Sequence, residues 1–158
     1  QHLAGLRTKH PLSRGKTGLP RIRSISINQM FRTWPEGNSP SPPWRFYGKT
    51  GDMINPQPSN LWVIIDENPD SINDAAFSVR MDSQGAAAVW GDGPGTGHGG
   101  GCGFSFADGH SEIKKWQDGR TTTPPMLPTY VNDFPHRLPQ GNNPDIQWVQ
   151  DRTSAKVN

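Results

Sequence analysis

The chain has 158 residues and a formal net charge of +2, and 31% of its residues are hydrophobic. This length predicts one domain with its own core, and the six tryptophans and six phenylalanines argue against a chain that is disordered throughout. The single cysteine excludes an intrachain disulfide and a cysteine-based zinc site, and no apolar stretch approaches the roughly 20 residues of a membrane span. The 18 glycines and 16 prolines predict a small sheet surrounded by long loops.

Charge is unevenly distributed along the chain. Residues 1–35 contain seven Lys or Arg and no acid, whereas residues 52–112 contain nine acids and one base, Arg80. We interpret residues 1–20 as a basic irregular arm and residues 21–158 as a single globular domain. The arm is either a solvated segment or a surface for phosphates, lipid headgroups or an acidic partner.

Short apolar runs predict most of the secondary structure. The isoleucines at 22, 25 and 27 favour a strand that could continue to Phe31. Leu61–Ile65 is the most apolar run, which predicts a central strand buried on both faces. The other predicted elements are short strands at 44–48, 75–79 and 86–90, a turn at 82–85, and a last strand or short helix at 145–152. Because strands do not alternate with helices, the predicted fold class is mainly β, with an antiparallel sheet and long Gly/Pro-rich loops.

The clearest local signal is a β-hairpin within residues 90–116. Phe104 to Ala107 alternates apolar and small residues, Asp108-Gly109 is typical of a two-residue turn, and alternation resumes from His110. A two-residue turn would place Phe104 opposite Ile113, with both side chains on an apolar face.

A loop rich in oxygen ligands follows the predicted central strand. Its acids are Asp66, Glu67, Asp70 and Asp74. Calcium takes six to eight oxygen ligands, so we treat these four residues as candidate metal ligands. The alternative is that the acidic side chains cap turns and a short helix.

The glycine-rich loop before the hairpin contains His98. Its glycines would allow His98 to fold back towards Asp108 and His110, and these three residues are the candidates for proton transfer if the protein is an enzyme. Alternatively, His98 braces the loop by a hydrogen bond to a backbone carbonyl. Cys102, which lies beside the predicted strand, is expected to be a small packed residue.

These segments resemble the prepilin-type processing-associated H-X9-DG family of pseudopilin-like bacterial proteins. His98 is followed by nine residues and then Asp108-Gly109. Residues 65–77, 103–110 and 143–154 are also similar to that family, and the resemblance spans roughly residues 20–154. It is therefore carried by most of the predicted globular domain.

The resemblance implies a pseudopilin-like domain of type II secretion or type IV pilin-like systems. Such proteins carry an amino-terminal hydrophobic helix before an antiparallel sheet, which would make the parent protein α+β. The cleavage motif and the helix are missing here, so we expect the soluble head of a longer protein or a shortened relative. The resemblance also implies structural Ca²⁺, a periplasmic or extracellular location at the cell envelope, and other pseudopilin-like subunits or secretion-system components as partners.

Two other functions remain open from the sequence. One is a small calcium-dependent hydrolase of esters or lactones, in which the acidic loop, the glycine-rich loop and the hairpin turn converge. The other is a carbohydrate- or surface-binding module that uses exposed tryptophans such as Trp34, Trp44 or Trp148.

Overall fold

A five-stranded sheet is the framework of this computed structural model, which describes residues 24–31, 43–69, 71–72, 74–122 and 140–157. The strands are β1 (Ile25–Asn28), β2 (Trp62–Asp66), β3 (Ala76–Phe77), β4 (Gly101–Phe106) and β5 (Ser111–Lys115). They lie in the order β3-β1-β2-β4-β5. Neighbours are antiparallel, except that β1 and β3 run parallel. The predicted mainly β fold is confirmed, with one parallel pair in the sheet.

Two α-helices and three 3-10 turns complete the described elements. The helices are α1 (Gly119–Thr122) and α2 (Pro144–Thr153), and the 3-10 turns are Gln29–Phe31, Thr50–Asp52 and Gly85–Ala87. Helix α2 begins after Asn143, whose side chain accepts the N–H groups of Asp145 and Ile146. This N-cap, followed by Pro144, resolves the prediction at 145–152 in favour of a helix. None of the described helices is both long and apolar enough to cross a membrane.

Three predicted strands are shorter in the structure or are replaced by other conformations. Residues 44–48 contribute a single bridge, between Trp44 and Lys156, and β3 covers only two residues of the predicted 75–79. The first two residues of the predicted strand at 86–90 belong instead to the 3-10 turn Gly85–Ala87. Alanine lacks the branched side chain that favours extended backbone, so its propensity does not oppose that turn. The predicted arm at 1–20 and Ile22 lie outside the described residues.

Strand β2 is central, as predicted, but it is buried on one face rather than on both. It pairs with β1 on one side and with β4 on the other. Trp62 and Ile65 are fully buried, whereas Ile64 is 38% exposed. The register places Ile64 beside Ile27 and Ser105. We call this side of the sheet the outer face; it comprises Ile25, Ile27, Ile64, Asp66, Gly103, Ser105, Ser111, Ile113 and Lys115.

The core lies on the opposite, inner face, which α2 covers. Trp148 of α2 packs against Phe104 with ring centroids 5.1 Å apart, and Trp62 Nε1 donates to Thr153 Oγ1 at 3.0 Å. Ile146 and Val149 point from the helix into the same cluster. Burial of such side chains supplies about 1.5–3 kcal/mol each, so the packing of α2 on the sheet accounts for much of the fold.

A buried carboxylate fixes the start of α2 to the chain that leaves β5. Asp145 is fully buried, and its carboxylate accepts the backbone N–H groups of Gln117 at 3.0 Å and Asp118 at 2.9 Å. These bonds compensate the carboxylate for its loss of hydration. Asp145 therefore joins the carboxyl-terminal helix to the hairpin.

The hairpin is present, but its register differs from the prediction by one residue. Phe104 lies opposite Glu112, and Gly103 lies opposite Ile113. The loop has three residues rather than two, because Gly109 N donates to Phe106 O at 3.0 Å and Gly109 adopts a φ of 93°. A three-residue loop with glycine in the left-handed region is the next common hairpin type. Ile113 consequently lies on the outer face, where it is 55% exposed.

Candidate functional site

Asp66 lies where β2 ends and contacts three other parts of the chain. Its carboxylate oxygen Oδ2 accepts the N–H of Gly103 in β4 at 3.1 Å. Its backbone carbonyl accepts the N–H of Gly95 at 2.8 Å. The side chain thus extends the hydrogen bonding between β2 and β4, while the backbone carbonyl of Asp66 holds the glycine-rich loop through Gly95.

The third contact of Asp66 is His98. His98 Nε2 lies 2.8 Å from Asp66 Oδ2, and the two side chains are 49% and 27% exposed, respectively. With the proton on Nε2, the ring donates to the carboxylate and leaves Nδ1 as the acceptor. The pair is therefore an oriented and solvent-accessible His–Asp dyad on the outer face.

Positions 95 and 103, which lie against Asp66, require glycine because a side chain there would contact Asp66 too closely. A Cβ at residue 103 would lie 2.8 Å from Asp66 Oδ2 and 3.7 Å from His98 Nε2. A Cβ at residue 95 would lie 2.9 Å from Asp66 Cβ. Part of the glycine content that marks this segment is therefore explained by the approach of Asp66 and His98 to the backbone.

Lys115 holds the backbone of the same loop. Its ammonium group reaches from β5 and donates to the carbonyls of His98 and Gly99, the latter at 3.1 Å. Lys115 could not be identified from the sequence, because a lysine in an edge strand is ordinarily a solvated residue. The loop is thus fixed to the sheet at the His98 side chain and at the His98 and Gly99 carbonyls.

The structure corrects the expected approach of His98 to Asp108. Asp108 and His110 form their own pair at the hairpin turn, with His110 Nδ1 2.6 Å from Asp108 Oδ1. Hydrogen bonds from His110 lower the pKa of Asp108, and the His110 ring stacks on Phe106 at 4.3 Å. His98 instead lies beside Gly103, and the remaining length of β4 separates it from the turn. The three candidates for proton transfer therefore belong to two separate pairs.

The proposed metal ligands are not brought together within the described residues. Asp66 faces His98 on the outer face, whereas the adjacent Glu67 is buried on the other side and accepts a hydrogen bond from Ser26. Asp74 accepts the N–H of Ala76 at 2.7 Å, as expected for a turn cap. Asp70 lies outside the described residues. In the part of the chain that the structure describes, no group of three or more His, Cys, Asp or Glu side chains could hold a metal ion.

A second buried acid near Glu67 was not predicted from the sequence. Asp92 is 7% exposed and accepts the N–H of Ser78 at 2.6 Å. Burial, and then the negative charge of Glu67, raise the pKa of Asp92 to about 8. Both causes favour the protonated form of the Asp92 carboxyl group. The surrounding Gly91-Asp92-Gly93 has ordinary turn composition, so no sequence signal marks the burial of this acid.

Cys102 is a packed residue, as the sequence predicted. It is fully buried, and its thiol donates to the carbonyl of Asp66 at 3.2 Å. Burial and the charge of Asp66 raise the pKa of Cys102, which suppresses the reactive thiolate. Among the predicted site residues that the structure describes, His98 and Asp66 alone meet on the exposed outer face. What they can do chemically is hold the loop or transfer a proton through His98 Nδ1.

Comparison with known proteins gives no match to a protein-family model, to a curated protein or to a solved structure.

Proposed function

We propose that this chain is the non-enzymatic head domain of a type II secretion pseudopilin-like protein. The observation that carries the proposal is the position of the H-X9-DG residues at the two ends of β4. His98 bonds to Asp66 of β2 at one end, and Gly109 closes the turn at the other. The nine residues between His98 and Asp108 contain the whole of β4. On this view the motif specifies a hairpin and its attachment to the central strand.

The contacts of the motif side chains support a structural role. The Asp108 carboxylate accepts a hydrogen bond from the His110 backbone N–H at 3.2 Å as well as from its ring, an arrangement typical of a turn. His98 belongs to a loop that Lys115 also holds. Each motif residue thus has a local structural partner, so no substrate is needed to explain the pattern.

The proposed setting is the cell envelope, facing the periplasm or the exterior, with other pseudopilin-like subunits or secretion-system components as partners. The outer face supports a binding role, because Ile25, Ile64 and Ile113 are 46%, 38% and 55% exposed on the same side of the sheet. Exposed apolar residues grouped on one face are typical of interaction surfaces.

Photo-crosslinking in the native cell tests this proposal. A photoreactive amino acid at position 64 of the full-length parent protein should capture subunits that carry an amino-terminal hydrophobic helix, identified by mass spectrometry. The same probe at position 54, which is 65% exposed but lies outside the sheet, is the control. Capture of such subunits from position 64 alone is expected, and their absence from position 64 would contradict the proposal.

A structural Ca²⁺ near the acidic loop is part of the same proposal. Asp74, Glu67 and Asp92 influence one another electrostatically, because the charges of Glu67 and Asp74 both raise the pKa of Asp92. Since the described residues alone do not form a metal-binding group, the ion would need further oxygens from the loop, including Asp70. Calcium at about 100 times its Kd should stabilise the protein by roughly 2.7 kcal/mol. A melting temperature that is the same in CaCl₂ and in EDTA would overturn this part.

A second candidate function is hydrolysis of esters or lactones, which the exposed His98–Asp66 dyad favours. In that reaction Asp66 would hold Nε2–H, and Nδ1 would take a proton from the attacking water. The carbonyl oxygen would need a hydrogen-bond donor or a cation such as Ca²⁺. The dyad supplies the base and its orienting partner only, so we place this function second.

A further inference from the structure

Strand β5 is an edge strand with hydrogen-bonding groups facing away from the sheet. Phe106 N donates to His110 O at 2.9 Å, and Trp116 N donates to Gly100 O at 3.1 Å. Because pairing alternates along an antiparallel ladder, residues 110, 112, 114 and 116 face β4. The N–H and C=O groups of Ser111, Ile113 and Lys115 therefore point outward. Within the described residues, no strand lies beyond β5.

We propose that this edge pairs with β5 of a second copy of the same chain, antiparallel and centred on Ile113. The sequence Ser-Glu-Ile-Lys-Lys at 111–115 complements itself in this arrangement. Glu112 lies opposite the partner's Lys114, and the symmetry of the pair produces this contact twice. Ile113 lies opposite the partner's Ile113, and Ser111 lies opposite the partner's Lys115. Opposite charges directly across a strand pair are stabilising.

The side chains on the edge are available for these contacts. The Glu112 side chain is exposed and has no hydrogen bond or ion pair among the described residues. Lys114 lies over the Trp148 ring, with its ammonium 5.4 Å from the ring centroid, which holds it on the same side of the sheet as Glu112. Ile113 is 55% exposed on the outer face. Pairing would bring the two Ile113 side chains into contact and remove part of their surface from water.

The charges also select one register. Moving the partner strand by two residues in one direction places Glu112 opposite the partner's Glu112. Moving it by two residues in the other direction places Lys114 opposite the partner's Lys114. Like charges directly opposite each other are destabilising, and a one-residue shift would exchange the two faces of the partner strand. A second copy therefore fits in the register centred on Ile113.

The predicted dimer is weak, because the pairing involves five residues a side. Stable protein–protein interfaces bury about 1,200–2,000 Å², and an edge-to-edge strand contact of this length buries less. The contact should be populated at high protein concentration or where copies are held close together. The edge is present whether or not the chain belongs to a pseudopilin-like assembly, so the pairing can be tested without reference to that proposal.

Sedimentation equilibrium of the whole 158-residue chain from about 10 μM to about 1 mM tests the pairing. We expect a reversible monomer–dimer equilibrium in the wild type. Glu112→Lys and Lys114→Glu should each weaken the dimer about tenfold, because two attractive pairs become two repulsive ones. The double variant Glu112→Lys/Lys114→Glu restores both pairs and should recover most of the affinity. A wild type that stays monomeric at 1 mM, or a double variant no tighter than the single variants, would overturn the proposal.

A disulfide test examines the register without using charge. Residues 113 of the two copies would form a hydrogen-bonded pair with Cα atoms about 5.5 Å apart, which is within the range that a disulfide spans. Ile113→Cys should therefore give a covalent dimer under mild oxidation, whereas Ile25→Cys, also exposed on the outer face, should not. The native Cys102 is fully buried, so the unmodified chain serves as the blank. Equal dimer yields at positions 113 and 25, in variants with native circular dichroism, would contradict the pairing.

Discussion

At the scale of single residues, the contacts of Asp66 and His98 organise the outer face. Asp66 accepts hydrogen bonds from β4 and from the glycine-rich loop, and His98 lies against its carboxylate. The sequence indicated both residues as functional candidates but assigned them to different sites. Their meeting could not be predicted, because they are 32 residues apart and the path of the intervening loop decides whether they touch.

His98→Ala should loosen the loop without unfolding the protein. Loss of the bond to Asp66 is expected to reduce the free energy of unfolding by about 1 kcal/mol, since both side chains are partly exposed. Amide hydrogen exchange at residues 99–101 should become faster, because the segment would lose its link to Asp66 and keep only its bonds to Lys115 and to neighbouring backbone groups such as Trp116 N. The control is His110→Ala at the hairpin turn, which should leave exchange at 99–101 unchanged. Equal exchange rates in His98→Ala and the wild type would contradict a bracing role.

The raised pKa of Asp92 predicts that the stability of the protein depends on pH. Its pKa is about 8 in the folded protein, against an ordinary value of 3.8. Between these values the folded state keeps a proton that the unfolded state releases, so this residue makes stability fall as pH rises, by up to about 1.4 kcal/mol per pH unit.

Urea denaturation of Asp92→Asn from pH 5 to pH 8 tests this expectation. The oxygen of the introduced amide can still accept the hydrogen bond from Ser78 N–H, but the amide does not ionise. The variant should therefore gain stability relative to the wild type as pH rises. Asp151→Asn, at an exposed position of α2, is the matched control. Its free energy of unfolding should differ from that of the wild type by the same amount at every pH. A constant difference between Asp92→Asn and the wild type across this range would show that Asp92 is not the titrating group.

At the scale of elements, the hairpin illustrates which features local sequence determines. Alternation around Asp108-Gly109 correctly predicted two strands and a turn. It did not distinguish a two-residue loop from the observed three-residue loop, because both use glycine with a positive φ. That one residue moved Ile113 to the outer face. For β2, the apolar run predicted its central position, but whether one or two faces are covered depends on α2, which is about 80 residues away.

Substitution of Gly109 in the hairpin turn and of Gly119 in α1 tests the effect of backbone strain at two positions that are not crowded. Gly109 has a φ of 93° and nothing within 4 Å of an added Cβ, and Gly119 in α1 also has nothing within 4 Å but no positive φ. Gly109→Ala should therefore cost about 1–2 kcal/mol, through strain alone. Gly119→Ala should be neutral or slightly stabilising. Thermal unfolding of the two variants measures the difference, and equal melting temperatures would contradict the observed loop geometry.

At the scale of the whole molecule, composition and patterning predicted a mainly β domain with long loops, and the described sheet confirms that class. Burial of acids could not be predicted, because Asp92 and Asp145 occur in ordinary turn and capping sequences. In the proposed pseudopilin-like head domain, His98 and Asp108-Gly109 stabilise the ends of β4. Their substitution should therefore change the stability of the protein and not a chemical activity.

The most direct measurement is hydrolysis of a panel of chromogenic esters and lactones by the purified chain and by His98→Ala, each in CaCl₂ and in EDTA, with the melting temperature recorded in the same samples. A structural role predicts no turnover above buffer for either protein, and a lower melting temperature for His98→Ala. Turnover by the wild type that is lost in folded His98→Ala would contradict the account and identify the His98–Asp66 dyad as catalytic.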